Sequence, residues 1–137
     1  MIEYSLDTNA CIALLNGSSP ALRAMVTEAL GEGSVLCVST IVLHELWFGA
    51  AKSARAAHNA ARIQAFLTGP LHVVPFDEAD ARAAGEVRAR LQRGGTPIGA
   101  YDTMIAGQAL RRGLTVITAD ATDFGRVDDL IWEDWSR

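Results

Sequence analysis

The chain has 137 residues, half of them apolar and one fifth charged. That is one domain's worth of chain with a globular composition, which excludes disordered and fibrous classes. Sixteen acidic against twelve basic residues give a formal charge of −4. Taken alone, that argues against a strongly basic nucleic-acid-binding domain. No stretch approaches the roughly 18 apolar residues of a membrane span. The opening Met1-Ile2-Glu3-Tyr4 has no basic region of the signal-peptide kind, so a cytoplasmic protein is expected. Cys11 and Cys37 each sit in an apolar run and read as buried free thiols. The three histidines and two cysteines show no zinc-ligand spacing.

In chain order, residues 2–6 read as a short first strand. Asp7-Thr8-Asn9 favours a helix start, and residues 10–16 read as helix up to Gly17. Pro20 opens a second helix to about residue 30. Residues 35–38 form an apolar run of strand length. Ser39 and Thr40 can cap a helix over 41–52, and an alanine-rich helix follows over 55–67 until Gly69-Pro70 breaks it. Residues 71–75 read as a third strand. Residues 78–93 form an amphipathic helix closed by Gly94-Gly95, and residues 100–112 a helix closed by Gly113. Residues 114–118 are a fourth strand and 130–132 a fifth. Short apolar strands alternating with helices predict a single α/β domain over 1–137. Its architecture is a three-layer α/β/α sandwich with a mainly parallel sheet. In such sheets, chemistry collects outside the carboxyl ends of the strands.

Four carboxylates fall in or near such places. Asp7 directly follows strand one, and Asp120 lies just past strand four. Asp102 is in the first turn of the helix after Pro97-Ile98-Gly99. Glu45 lies a turn and a half into the helix after strand two, among mostly apolar neighbours. Each alone has an ordinary reading as a helix cap, a first-turn acid, a turn residue or a solvated helix acid. Their joint placement at one sheet edge is what points to a site. Crowded carboxylates repel one another, and they then take up protons or bind a cation. Oxygen donors without sulfur or imidazole suit Mg²⁺ or Mn²⁺. Receiver domains and phosphatases also place acids there, so spacing leaves the activity open.

The motifs narrow it. Leu6-Asp7-Thr8-Asn9-Ala10-Cys11-Ile12 resembles the opening motif of PIN-domain nucleases. Residues 97–106, around Tyr101-Asp102, resemble their central motif, and Val116 to Asp120 followed by Asp123-Phe124 resembles the third. The ending, with Asp128-Asp129-Leu130 and Glu133-Asp134-Trp135, is similar to that of VapC toxins of toxin–antitoxin pairs. The resemblance spans nearly the whole chain. It implies a PIN fold and a Mg²⁺- or Mn²⁺-dependent endoribonuclease that leaves a 3′-hydroxyl and a 5′-phosphate. By motif position, Asp7, Glu45, Asp102 and Asp120 match the family's acidic quartet as catalytic and metal residues, and Thr8, Asn9 and Ser39 match supporting polar positions. The subgroup implied cuts initiator tRNA in its anticodon loop, is inhibited by a VapB-type antitoxin and forms homodimers. One position departs: that subgroup often carries asparagine-rich sequence near Thr118, where this chain has Ala119-Asp120. Both Asp120 and Asp123 remain candidates for the fourth acid. Asp120 is favoured because it follows the strand end directly.

Neighbouring features are read more weakly. Eleven of the twelve basic residues are arginine, whose fork suits phosphate and stacks on bases. Most read as solvated helix charges; Arg88 and Arg93 are the RNA-binding candidates. Trp47 and Phe48, followed by a dense run of alanines, form a candidate groove for an antitoxin helix, with core packing as the ordinary alternative. His44 reads as a core or helix-surface residue. Serine-nucleophile chemistry finds no support, because no Gly-x-Ser-x-Gly elbow is present. An RNA-processing nuclease and a non-catalytic RNA- or protein-binding module remain the alternatives.

Overall fold

Leu6, Leu36, Val38, Val116 and Ile117 are at most 1% exposed, as strands covered on both faces require. The computed structural model describes residues 2–137. Its first half runs β1 (Glu3–Leu6), α1 (Thr8–Asn16), α2 (Pro20–Gly31), β2 (Val35–Ser39), α3 (Thr40–Lys52) and α4 (Ala56–Leu67). It continues through β3 (Leu71–Val74), α5 (Glu78–Arg93), α6 (Ala100–Arg112), β4 (Thr115–Ile117), α7 (Ala121–Phe124) and β5 (Trp132–Glu133). The strands form one sheet in the order β3-β2-β1-β4-β5, with every neighbouring pair parallel.

Right-handed crossovers then put α1 to α4 on one face and α5 to α7 on the other. The result is the expected three-layer sandwich. The chain moves outward from β1 through β2 to β3, then returns to start again at β4 on the far side of β1. The topological switch point therefore lies between the carboxyl ends of β1 and β4. Leu6 and Ile117 are register partners there, so the residues that follow them emerge side by side.

Local chemistry explains most boundaries. The first helix begins at Thr8, two residues earlier than expected, because the Asp7 carboxylate accepts the Ala10 N–H at 2.8 Å and caps it. Ser39 caps α3 by accepting the Ile41 N–H at 3.1 Å. Gly17 and Gly113 close α1 and α6 at φ 64° and 68°, the left-handed conformation that favours glycine. The short α7 was not expected from the sequence; Asp120 caps it by accepting the Asp123 N–H at 3.0 Å. The α5–α6 pair packs very closely. A Cβ added at Gly107 would stand 2.5 Å from the Ala84 Cα, so only glycine fits there. Cys11 and Cys37 are buried free thiols, as expected.

Candidate active site

Asp7 leaves β1 at the switch point and is 3% exposed. Burial pushes its carboxyl up. Hydrogen bonds from the Thr118 hydroxyl and the Ala10 N–H work the other way, and the charges of Asp120 and Glu45 raise it again. Asp120 leaves the next strand over. The Thr118 hydroxyl accepts the Asp120 N–H at 2.9 Å, which ties the β4 end to the acid that follows it. Asp102 sits in the first turn of α6. Carboxylate oxygens of Asp102, Asp120 and Asp123 lie within 4.8 Å of one another. Glu45 comes from α3, and the Thr8 hydroxyl donates to its Oε1 at 2.5 Å.

The electrostatics match this geometry. The Asp102 carboxyl is pushed up to about 6, first by burial and then by the charges of Asp7, Glu45, Asp120 and Asp123. The other four acids therefore all act on the half-buried Asp102. Among the described residues, none of the five is in an ion pair. Uncompensated carboxylates of this kind fit a hard divalent cation, and the donor set is all oxygen. The sequence favoured Asp120 over Asp123; the structure brings both beside Asp102.

The remaining candidates separate. Thr8 reaches the acids through Glu45. Ser39 is buried, and its hydroxyl accepts a backbone N–H at the start of α3. Asn9 is exposed and lines a small cavity with Thr118, Ala119 and Trp135. Arg88 and Arg93 are exposed on α5. Arg88 lines a cavity of about 120 Å³ with Pro97, Ile98 and Thr103, under the start of α6. Trp47 packs against the core and Phe48 is 59% exposed. Neither lines the apolar groove of about 200 Å³ that runs between α1, α3 and α4. Ile12, Leu15, Leu46, Ala50 and Ile63 do, with Glu45 at its edge.

Two features went unread in the sequence. His44 is exposed on the helix surface, as expected, but its Nε2 shares a 3.2 Å hydrogen bond with the hydroxyl of Tyr101, the neighbour of Asp102. Asp80 is fully buried under Arg111 and Arg112, at 2.7 and 3.0 Å. The only hint was the Asp77-x-x-Asp80 spacing, which proves to be a reciprocal capping box.

A parallel α/β sheet with carboxylates gathered at its switch point defines a class of site able to hold a divalent cation. Comparison with known proteins is specific. A family model described as PIN domain matches residues 4–130. A Shigella flexneri protein, tRNA(fMet)-specific endonuclease VapC, is 39% identical over 136 residues, spanning 99% of this chain and 100% of its own. The structure of DNA-bound VapBC from Salmonella typhimurium matches with a TM-score of 0.90 at 38% identity, over 98% of this chain and 99% of that one. VapBC2 from Rickettsia felis, bound to a DNA fragment from its promoter, matches with a TM-score of 0.90 at 30% identity, over 98% and 99%. The chain belongs to the PIN-domain family and, within it, to the VapC proteins.

Proposed function

We propose that the protein is the toxin of a type II toxin–antitoxin pair. Its activity is that of a Mg²⁺- or Mn²⁺-dependent endoribonuclease cutting tRNA, with the initiator tRNA anticodon loop as target. One observation carries the reading: the close Asp102, Asp120 and Asp123 cluster at the switch point of a PIN-domain chain, with the charges of Asp7 and Glu45 acting on Asp102. The full-length likeness to a tRNA(fMet)-specific endonuclease supports the choice of RNA.

Asp7, Glu45, Asp102 and Asp120 would hold the ion, with Asp123 beside them. A bound divalent ion supplies Lewis-acid charge that stabilises the attacked phosphodiester and acidifies water. The chain's own residues do the rest. The helix cap at Ala10 fixes Asp7, and Thr8 fixes Glu45. One of the carboxylates takes the proton of the attacking water as its oxygen bonds to phosphorus in line; the P–O3′ bond breaks and the 3′ oxygen takes a proton from solvent, leaving a 3′-hydroxyl and a 5′-phosphate. The reading needs no histidine as acid or base.

The groove between α1, α3 and α4 supports an antitoxin helix as partner, since apolar grooves of this kind take one face of an amphipathic helix. Its contact with Glu45 would couple that partner to the acids. A homodimer working in the cytoplasm completes the reading. No described helix is long and apolar enough to cross a membrane. The direct test is cleavage of bulk tRNA by wild type, Asp7→Ala and Asp102→Asn, each with Mg²⁺ or with EDTA. Only wild type with Mg²⁺ should cut, the variants losing at least about a hundredfold. Equal cleavage in all lanes would sink the reading.

A further inference from the structure

We infer that His44 and Tyr101 form a stacking platform for an unpaired nucleobase beside the phosphodiester that the acids address; the inference rests on the ribonuclease reading above. His44 immediately precedes Glu45 on α3, and Tyr101 immediately precedes Asp102 on α6. The two helices come from opposite faces of the sheet, and these two rings meet between them. Their centroids are 5.5 Å apart, tilted at 50°. The Tyr101 hydroxyl and His44 Nε2 share a hydrogen bond of 3.2 Å.

Neither ring belongs to the core. Tyr101 is 43% exposed, and His44 is exposed as well. Packing therefore does not account for two exposed rings next in sequence to Glu45 and Asp102. Successive residues of a helix project about 100° apart. The ring pair therefore sits one residue before Glu45 and Asp102 on the same two helices and projects to a different side of each. Bases of single-stranded RNA present π faces that stack on tyrosine and histidine, a contact that tolerates different bases. The mutual hydrogen bond holds the rings in place before RNA arrives, which lowers the ordering cost of binding.

The test is steady-state cleavage of the RNA that wild type cuts best, first an initiator tRNA anticodon stem–loop. A matched RNA carries an abasic nucleotide beside the cut. Tyr101→Ala should raise KM by about five- to a hundredfold, with kcat within about threefold. Tyr101→Phe should keep most of the binding, and His44→Ala should fall between. Wild type should lose affinity for the abasic RNA, and Tyr101→Ala should lose little more. Melting temperatures should match wild type. An unchanged KM, or the same abasic penalty in both proteins, would overturn the platform. So would a joint fall in kcat and melting temperature, which marks a brace between α3 and α6. Escape from antitoxin inhibition with KM unchanged would make the pair a protein contact and equally overturn it. Failure of wild type to cut any RNA with Mg²⁺ would instead remove the ribonuclease reading, and the platform with it.

Discussion

Thr8 does not touch the Asp102 cluster directly, yet its hydroxyl donates to Glu45 Oε1 across 37 residues of sequence. A carboxylate held by one strong hydrogen bond keeps its orientation among repelling neighbours. Thr8→Val keeps the shape and removes the donor. It should lower kcat/KM for RNA by about 10–100-fold, while urea unfolding moves by less than about 1.5 kcal/mol. Thr8→Ser should recover most of the activity. Equal activity in Thr8→Val and wild type would show that Glu45 needs no such positioning. At this scale the sequence was informative wherever an acid follows a strand end. Asp7 and Asp120 were legible from order alone, and Asp102 from its place in a helix's first turn. His44 and Tyr101 were not, because a contact between residues 57 apart depends on how α3 and α6 meet. Asp123 was legible as the alternative to Asp120; that both stand beside Asp102 at once was not.

Among the elements, α5 and α6 are held by a charged clamp at one end and by the Gly107–Ala84 contact along their length. Burial by itself pushes the Asp80 carboxyl up. Bonds from Arg112, the Asp77 N–H, Gln108 and Arg111 outweigh it and hold Asp80 well below the ordinary carboxylate range. The native pKa is therefore lower than the unfolded value of about 3.9. The stabilisation is complete above that value and is lost as pH falls through it toward the native pKa. Asp80→Asn should cost roughly 1–3 kcal/mol at pH 7, after allowance for the partly exposed arginines. Urea unfolding from about pH 5 to pH 3 should show the gap to wild type closing. A gap that stays constant over this range would mean that Asp80 does not carry the charge. Element types followed the sequence closely, since alternating apolar runs and glycine stops are local signals. The clamp was missed because Arg111 and Arg112 read as ordinary helix-end charges until α6 is laid against α5. α7 was missed because four residues are too few to show a period.

Over the whole molecule, the charge of −4 taken alone argues against RNA. Setting aside the four proposed ligands leaves twelve acidic against twelve basic residues. The structure gives part of that arithmetic a location: Asp102, Asp120 and Asp123 gather at one switch point, and the charges of Asp7 and Glu45 reach Asp102. The acidity is concentrated where a cation would neutralise it, and exposed Arg88 and Arg93 lie on the helix packed against α6. An RNA backbone can approach such a molecule once the site is loaded. The most direct measurement is sequencing of RNA ends in cells after induction of wild type, beside Asp102→Asn. The account predicts new 5′-phosphate ends concentrated in the anticodon loop of initiator tRNA, present with wild type and missing with Asp102→Asn. The same ends in both strains, or no new ends with wild type, would contradict it.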